Sequence, residues 1–127
     1  MAGELVLIVE DNAKSMKLLR DVLAATGYGT LEATTGEDAV SLALSHTPAL
    51  VLMDVQLPGI DGVEALERLR RDARTETIPV LALTAQAMHG DRERFLEAGF
   101  DGYLSKPMDV AELLRTVAEQ CGLGPGA

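Results

Sequence analysis

Short apolar runs alternate along this chain with segments in which apolar residues recur every three to four positions. Leu5–Val9 and Ala49–Met53 are continuously apolar, and Pro79–Leu83 is a similar run that begins with a proline. Runs of this kind are typical of strands that are buried on both faces of a sheet. Tyr28–Ala33 is more polar and predicts an edge strand, and Asp101–Leu104 predicts a short fifth strand.

The segments between the predicted strands have the periodicity of amphipathic helices. The apolar positions of the five predicted helices are Met16, Leu19, Val22 and Leu23; Ala39, Val40, Ala43 and Leu44; Val63, Leu66 and Leu69; Met88, Phe95 and Leu96; and Val110, Leu113, Leu114, Val117 and Cys121. Regular alternation of strands and helices predicts an α/β domain with helices on both faces of a parallel sheet. For five strands we expect a doubly wound, flavodoxin-like (βα)5 fold with strand order 2-1-3-4-5.

Length and composition fit one domain. The chain has 127 residues, of which 47% are hydrophobic and 24% are charged, as in an ordinary soluble globular protein. Neither a repeat nor a low-complexity linker divides it. We therefore expect a single domain over residues 1–127, with a core from about residue 4 to residue 121 and a flexible tail at 122–127.

The charge distribution excludes several classes of function. The net charge is −9, and Arg70-Arg71 is the longest run of basic residues, so the basic patch of a nucleic-acid binder is missing. No apolar run approaches the roughly 18–20 residues that span a bilayer, and no basic region precedes Leu5–Val9 as in a signal peptide. Cys121 is the only cysteine, which excludes an internal disulfide. These features predict a cytoplasmic protein.

Charged and polar residues directly follow four of the predicted strands. Glu10 and Asp11 follow the first strand, Asp54 the third, Thr84 the fourth, and Lys106 comes two residues after the fifth. In the order 2-1-3-4-5, ligands bind beyond the carboxyl ends of strands one and three, where the strand order reverses. We therefore expect three carboxylates to converge at one crevice, with a hydroxyl group and an ammonium group beside them.

Carboxylates this close together raise one another's pKa unless a cation lies among them. Mg²⁺ suits such a site because it prefers oxygen ligands, and no histidine or cysteine accompanies the cluster as a zinc site would require. The alternative interpretation is that each acidic residue merely caps the helix that follows it, as Asp and Asn often do.

Four motifs in this order resemble the receiver domains of two-component response regulators, the CheY-like family. The motifs are Leu7–Asn12, Leu52–Pro58, Leu83–Ala85 and Lys106-Pro107. The resemblance extends from about Glu4 to Cys121, which is almost the whole chain.

The resemblance implies that Asp54 accepts a phosphoryl group from the phosphohistidine of a histidine kinase or a histidine phosphotransferase. It implies Mg²⁺ as the cofactor, held by Glu10, Asp11, the Asp54 carboxylate and the backbone carbonyl of Gln56. Such a protein is a phosphoacceptor switch that catalyses only its own phosphorylation and dephosphorylation.

The same resemblance implies how the signal leaves the site. Thr84 and Lys106 would bind the phosphoryl oxygens, Thr84 and Tyr103 would act as the switch pair, and a cis peptide bond would precede Pro107. The surface of helix 4, strand 5 and helix 5 would then change and reach a downstream protein target. The chain would be a monomer or a weak dimer.

Lys14, Ser15 and Leu18 lie off the apolar stripe of the first predicted helix. A solvated helix face would explain this position. The resemblance implies instead that these residues form the docking surface for a kinase or phosphotransferase helix bundle, and an off-stripe leucine favours that reading.

Three alternatives remain at this point. A haloacid-dehalogenase-type phosphatase also uses a strand-end Asp with Mg²⁺, but it needs a second Asp two residues on, and residue 56 is Gln. A flavodoxin-type FMN binder shares the fold, but Glu10-Asp11 would repel a phosphate. The stretch Thr84–Asp91 is similar to stand-alone DivK-type regulators and to receivers excised from hybrid histidine kinases. The start at Met1 and the short tail favour the stand-alone case.

Overall fold

The computed structural model describes residues 4–85, 91–106 and 109–121 of the chain. Within these residues five strands alternate with five helices. The strands are β1 (Leu5–Val9), β2 (Gly29–Ala33), β3 (Leu50–Asp54), β4 (Val80–Thr84) and β5 (Gly102–Ser105). The helices are α1 (Ala13–Ala25), α2 (Gly36–His46), α3 (Gly62–Arg71), α4 (Asp91–Ala98) and α5 (Val110–Gln120).

The five strands form one parallel sheet in the order β2-β1-β3-β4-β5, which confirms the predicted topology. Every residue of β3 and β4 is buried, whereas the edge strands β2 and β5 are partly exposed. Strands β3 and β4 each begin and end one residue later than predicted. Asp54 and Thr84 are therefore the last residues of their strands rather than the first residues of the loops that follow.

Alternate strand residues build a separate core on each face of the sheet. On one face Leu7 and Val9 pack in a cluster with residues of α2, α3 and α4. On the other face Val6 and Ile8 pack with residues of α1 and α5. Burial on both faces explains why these strands have continuous apolar runs rather than an alternating pattern.

Two apolar residues that the sequence assigns to the core are exposed. Val110 is 42% exposed and Leu96 is 43% exposed. Val110 is the first residue of α5 and precedes the buried positions Leu113 and Val117. Leu96 follows the buried Phe95, and one residue turns an α-helix by about 100°, which points the next side chain away from the core.

Several predictions fall outside the described residues. These are the start of the fourth helix at Met88, the peptide bond before Pro107, the tail at 122–127 and most of the stretch Thr84–Asp91. None of the helices in the described ranges is long and apolar enough to span a lipid bilayer.

Arg70 joins the loops that precede β4 and β5. Its guanidinium group donates to the carbonyl of Ile78 at 2.7 Å, to the carbonyl of Gly99 at 3.1 Å and to Asp101 Oδ2 at 2.9 Å. The same Asp101 oxygen accepts from the backbone N–H of Val80 at 2.8 Å. Arg70 thus fixes the starts of the two strands whose opposite ends carry Thr84 and Lys106.

Arg70→Ala should lower the free energy of unfolding by about 2 kcal/mol or more, because a charged donor is removed from several partly buried acceptors. The matched control is Arg71→Ala, since Arg71 is highly exposed and pairs only with Glu67 at 3.6 Å among the ion pairs of the described residues. This control should change stability by less than about 0.5 kcal/mol. Urea unfolding measures both values, and equal effects would contradict the structural role of Arg70.

Candidate functional site

Four side chains meet at the carboxyl edge of the sheet where the strand order reverses. Glu10 directly follows β1, Asp54 ends β3, Thr84 ends β4 and Lys106 directly follows β5. Strands β1 and β3 are hydrogen-bonded neighbours, with Val9 opposite Met53, so the residues that follow, Glu10 and Asp54, face the same crevice. The predicted convergence of the strand ends is therefore present in the structure.

The Lys106 ammonium group lies between two buried carboxylates. Its Nζ donates to Glu10 Oε1 at 2.8 Å, to Glu10 Oε2 at 2.9 Å and to Asp54 Oδ2 at 2.8 Å. The Glu10 side chain is fully buried, and the Asp54 side chain is 8% exposed. The backbone N–H of Lys106 donates to the carbonyl of Thr84 at 2.8 Å, which anchors the start of this side chain beside β4.

The two oxygens of the Asp54 carboxylate have different partners. Oδ2 accepts from Lys106, and Oδ1 accepts from the backbone N–H of Gln56 at 2.8 Å. The backbone N–H of Val55 donates to the carbonyl of Leu83 at 3.1 Å and extends the sheet pairing past Asp54. The carboxylate is therefore oriented both by the sheet and by the loop that follows it.

Glu10, Asp11 and Asp54 form a cluster that fits a divalent cation. One carboxylate oxygen from each residue lies within 4.8 Å of the others, and Asp11 is exposed while the other two are buried. Three acidic oxygens at this separation suit Mg²⁺, which usually keeps several waters and takes few protein ligands. Gln56, whose backbone carbonyl is the remaining expected ligand, lies in the loop that follows β3.

The competing interpretation of these acids as helix caps is wrong for the helices that follow β1 and β3. Helix α1 is capped by Asn12, whose side chain accepts from the N–H of Ser15. Helix α3 is capped by Asp61, whose side chain accepts from the N–H of Glu64. The three clustered carboxylates have no such role, so a different reason for their convergence is needed.

Burial and hydrogen bonding separate the pKa values of the two buried acids. Burial raises the pKa of Glu10 to about 7, and its interaction with Asp54 adds to this increase while Lys106 opposes it. Burial acts on Asp54 in the same direction, but hydrogen bonds with Glu10, Lys106 and the Gln56 amide outweigh it and lower the pKa of Asp54. Asp54 is therefore the acid that stays ionised at neutral pH.

The pKa of Lys106 is raised. Burial alone would lower it, but the ion pairs with Asp54 and Glu10 outweigh that effect. The ammonium group therefore remains cationic and supplies a fixed positive charge beside Asp54.

Thr84 and Tyr103 lie on the same face of the sheet. Tyr103 of β5 pairs with Ala82 of β4, so these two side chains lie on the same face of the sheet. Thr84 is two residues after Ala82 in β4 and therefore points to that face as well, which is the face covered by α4. Thr84 is buried and lines a cavity of about 390 Å³ together with Gln56 and Phe95. Tyr103 is half-buried, and its ring lies 6.4 Å from the Phe95 ring, centroid to centroid.

The predicted docking residues lie on the first turns of α1, beside the acidic cluster. Lys14 is exposed, Ser15 is half-buried, and Leu18 is 41% exposed. Their position off the buried stripe of α1 agrees with the sequence pattern. The surface is adjacent to the site because α1 begins two residues after Asp11.

The sequence did not predict two features of this site. The ion pair between Lys106 and Glu10 joins residues 96 positions apart, and residue types alone do not specify it. The second is the close approach of Gly62, the first residue of α3, to the backbone of Asp54, which residue types alone do not reveal.

Glu10 makes the stability of the metal-free protein depend on pH. Because its folded pKa of about 7 exceeds the ordinary 4.5, the folded state binds the extra proton between these values. The contribution of Glu10 to the free energy of unfolding should therefore be greatest below about pH 4.5. This contribution should fall by on the order of 2–3 kcal/mol as the pH rises to 7.

This fall can be measured by urea unfolding in the presence of a chelator. Glu10→Gln should remove most of the slope, because the amide is neutral throughout. Glu67→Gln, which changes an exposed glutamate on α3, should retain it. A wild-type slope in the Glu10 variant would contradict the assignment.

The chain was compared with known protein families, characterised relatives and solved structures. Residues 6–118 match the family described as response regulator receiver domain. The polar-differentiation response regulator DivK of Brucella ovis is 44% identical over 117 residues, which are 92% of this chain and 95% of DivK.

Two solved structures share the fold closely. The receiver domain of the sensor histidine kinase PA1611 from Pseudomonas aeruginosa, with a magnesium ion in its active site cleft, has a TM-score of 0.88 at 37% identity and covers 95% of this chain and 99% of its own. The second is the receiver domain of the Saccharomyces cerevisiae response regulator Ssk1, which was solved with the histidine phosphotransfer protein Ypd1. It has a TM-score of 0.86 at 27% identity, and the match covers 96% of this chain and 91% of its own.

The acidic cluster, the strand-end lysine and hydroxyl, the sheet order and these similarities agree. The chain belongs to the response regulator receiver domain family and is a receiver of two-component signal transduction.

Proposed function

We propose that Asp54 accepts a phosphoryl group from a phosphohistidine partner, with Mg²⁺ as cofactor, and that the resulting change at Thr84 and Tyr103 alters the α4–β5–α5 surface. The observation that carries this proposal is the Asp54 carboxylate, which lies 2.8 Å from the Lys106 ammonium group and within the cluster of Glu10 and Asp11. The proposed nucleophile, a fixed cation and the proposed metal ligands would thus lie together at the edge of the sheet where folds of this type bind ligands.

The transfer needs an ionised nucleophile that faces the donor. An Asp54 oxygen would form a bond to phosphorus as the phosphorus–nitrogen bond of the phosphohistidine breaks, and the imidazole nitrogen would leave with the electron pair. The lowered pKa of Asp54 supports this role, since no proton has to be removed before attack. Lys106 would then exchange its contact with Asp54 Oδ2 for a phosphoryl oxygen and offset the added negative charge.

Glu10, Asp11, the Asp54 carboxylate and the Gln56 carbonyl are the proposed Mg²⁺ ligands. When bound, Mg²⁺ offsets the charge that accumulates between Asp54 and the phosphoryl group. The magnesium ion in the active site cleft of the Pseudomonas aeruginosa PA1611 receiver supports this assignment. Ionisation of Glu10 is part of binding, because its raised pKa must fall when a cation replaces its proton.

The proposed switch acts through the cavity between Thr84 and α4. The Thr84 hydroxyl would turn toward the phosphoryl oxygens, and Tyr103 would follow on the same face of the sheet. Thr84 and Phe95 both line this cavity, and the Tyr103 ring lies 6.4 Å from the Phe95 ring, centroid to centroid. Because Phe95 belongs to α4, a movement of Thr84 or of Tyr103 would act directly on that helix. This coupling supports an output through protein contacts, as expected of a two-state element.

The partners follow from the family and from the surface of α1. We propose that Lys14, Ser15 and Leu18 dock a histidine kinase or a histidine phosphotransferase, and the Ypd1–Ssk1 pair supports the latter class. The acidic net charge of −9 favours protein partners over nucleic acid. We further propose a single receiver domain over residues 1–127 that is cytoplasmic, is a monomer or a weak dimer, and catalyses only its own phosphorylation and dephosphorylation.

Incubation with acetyl phosphate and Mg²⁺, followed by intact mass spectrometry, tests the proposed acceptor. The wild type should gain one phosphoryl group, and Asp54→Asn should gain none because the amide is a poor nucleophile. Asp61→Asn is the matched control, since it makes the same change at an exposed cap of α3, and it should be phosphorylated like the wild type. Undiminished phosphorylation of Asp54→Asn would refute the proposal.

A calorimetric titration tests the proposed metal ligands without any phosphoryl transfer. Asp11→Ala should weaken Mg²⁺ binding by roughly 10-fold or more, because it removes one of few charged ligands. Asp21→Ala removes an exposed carboxylate from α1 and should bind Mg²⁺ as the wild type does. Equal affinity in the wild type and Asp11→Ala would exclude Asp11 from the metal site.

A further inference from the structure

Gly62 lets the two ends of the loop between β3 and α3 (Val55–Asp61) lie close together. A Cβ atom added at Gly62 would lie 2.5 Å from the carbonyl oxygen of Asp54 and 2.8 Å from the Cα of Val55. Both of these are backbone atoms, so no change of rotamer could relieve the overlap. The Gly62 N–H also donates to the Val55 carbonyl at 3.2 Å, which joins the first residue of α3 to the end of β3.

A second glycine contacts the far part of the same loop. A Cβ atom added at Gly36, the first residue of α2, would lie 2.5 Å from Ile60 Cγ1 and 2.8 Å from the Ile60 carbonyl oxygen. Ile60 is half-buried and packs against the core cluster on the α2–α3 side of the sheet. The start of the loop at Val55 thus contacts α3, and Ile60 near the end of the loop contacts α2.

We propose that Gly62 and Gly36 are positioning residues for the phosphoacceptor site. By lacking a Cβ atom they let two helices close on the β3–α3 loop, which fixes where the Asp54 carboxylate and the Gln56 carbonyl lie. This inference rests on the proposed function of Asp54 and adds to it the residues that set the geometry of the acceptor.

Neither side of the Gly62 contact can yield freely. Asp54 ends a strand in which every residue is buried, and α3 is held to the core by Ala65, Leu66 and Leu69, all of which are fully buried. A larger residue at position 62 must therefore displace the end of β3, the start of α3, or both. The hydrogen bonds from Asp54 Oδ1 to the Gln56 amide and from Oδ2 to Lys106 would change with it.

Displacements of this size matter for transfer chemistry. A misplacement of about 1 Å between reacting groups can cost on the order of 100-fold in rate. Gly62→Ala should therefore slow phosphorylation by about 10- to 100-fold, measured per folded molecule. Gly36→Ala should have a smaller effect, because it displaces the part of the loop that is further from Asp54.

The test compares phosphorylation rates with acetyl phosphate and Mg²⁺ for Gly62→Ala, Gly36→Ala and the control Gly102→Ala. Gly102 lies in β5, and among the described residues a Cβ atom there would meet only the end of the Leu81 side chain, at 3.1 Å. The control should therefore keep the wild-type rate. Circular dichroism gives the folded fraction of each variant, so that loss of stability is separated from loss of positioning.

One further readout does not depend on phosphorylation. In the metal-free protein, the NMR signal of the Gln56 amide should shift in Gly62→Ala, because this amide donates to Asp54, and it should stay in place in Gly102→Ala. If Gly62→Ala does not fold, Gly36→Ala decides the question. Its rate should be slower than that of the wild type and should recover in part when Ile60→Ala removes the side-chain overlap.

The outcomes separate this inference from the proposed function. Phosphorylation of the wild type with unchanged rates in both glycine variants would overturn the positioning role and leave Asp54 as the acceptor. Absence of phosphorylation in the wild type and in Gly102→Ala would overturn the proposed function and this inference with it. Slow phosphorylation of the two glycine variants, with a wild-type rate in the control, supports the positioning role.

Discussion

Repulsion among three carboxylates at one edge of the sheet is the constraint on which the site depends. A parallel sheet brings the carboxyl ends of its strands together, and the reversal of order between β1 and β3 opens a crevice there. Glu10, Asp11 and Asp54 point into that crevice. Their repulsion is offset in the metal-free state by the Lys106 ammonium group, which contacts both buried acids.

The two buried acids have unequal pKa values, although the Lys106 ammonium group acts to lower both. Asp54 is held ionised by three hydrogen-bonding groups, whereas Glu10 has its pKa raised to about 7 and can hold a proton. The site thus keeps Asp54, the proposed nucleophile, charged, while the protonation of Glu10 beside it can change. The contacts of Lys106 would change on binding of a metal ion, a proton or a phosphoryl group. The backbone N–H of Lys106 is hydrogen-bonded to the carbonyl of Thr84, so such a change would lie next to Thr84.

The sequence was sufficient for the fold and for the placement of the site. Continuous apolar runs predicted the buried strands, and the residues that follow them are those that converge. Side-chain partners were harder to predict. The contact between Lys106 and Glu10 joins residues 96 positions apart, and no local sequence pattern specifies it. The role of Gly62 depends on the closeness of two backbones. The exposure of Val110 reflects where a helix begins, which periodicity defines poorly.

Chemical trapping of the phosphorylated residue tests the central claim most directly. Borohydride reduces an aspartyl phosphate to homoserine, so mass spectrometry of peptides from the phosphorylated and reduced protein identifies the carboxylate that carried the phosphoryl group. The account predicts homoserine at position 54 and at no other aspartate. Homoserine at position 11, or an unmodified Asp54 in protein that has gained a phosphoryl group, would contradict it.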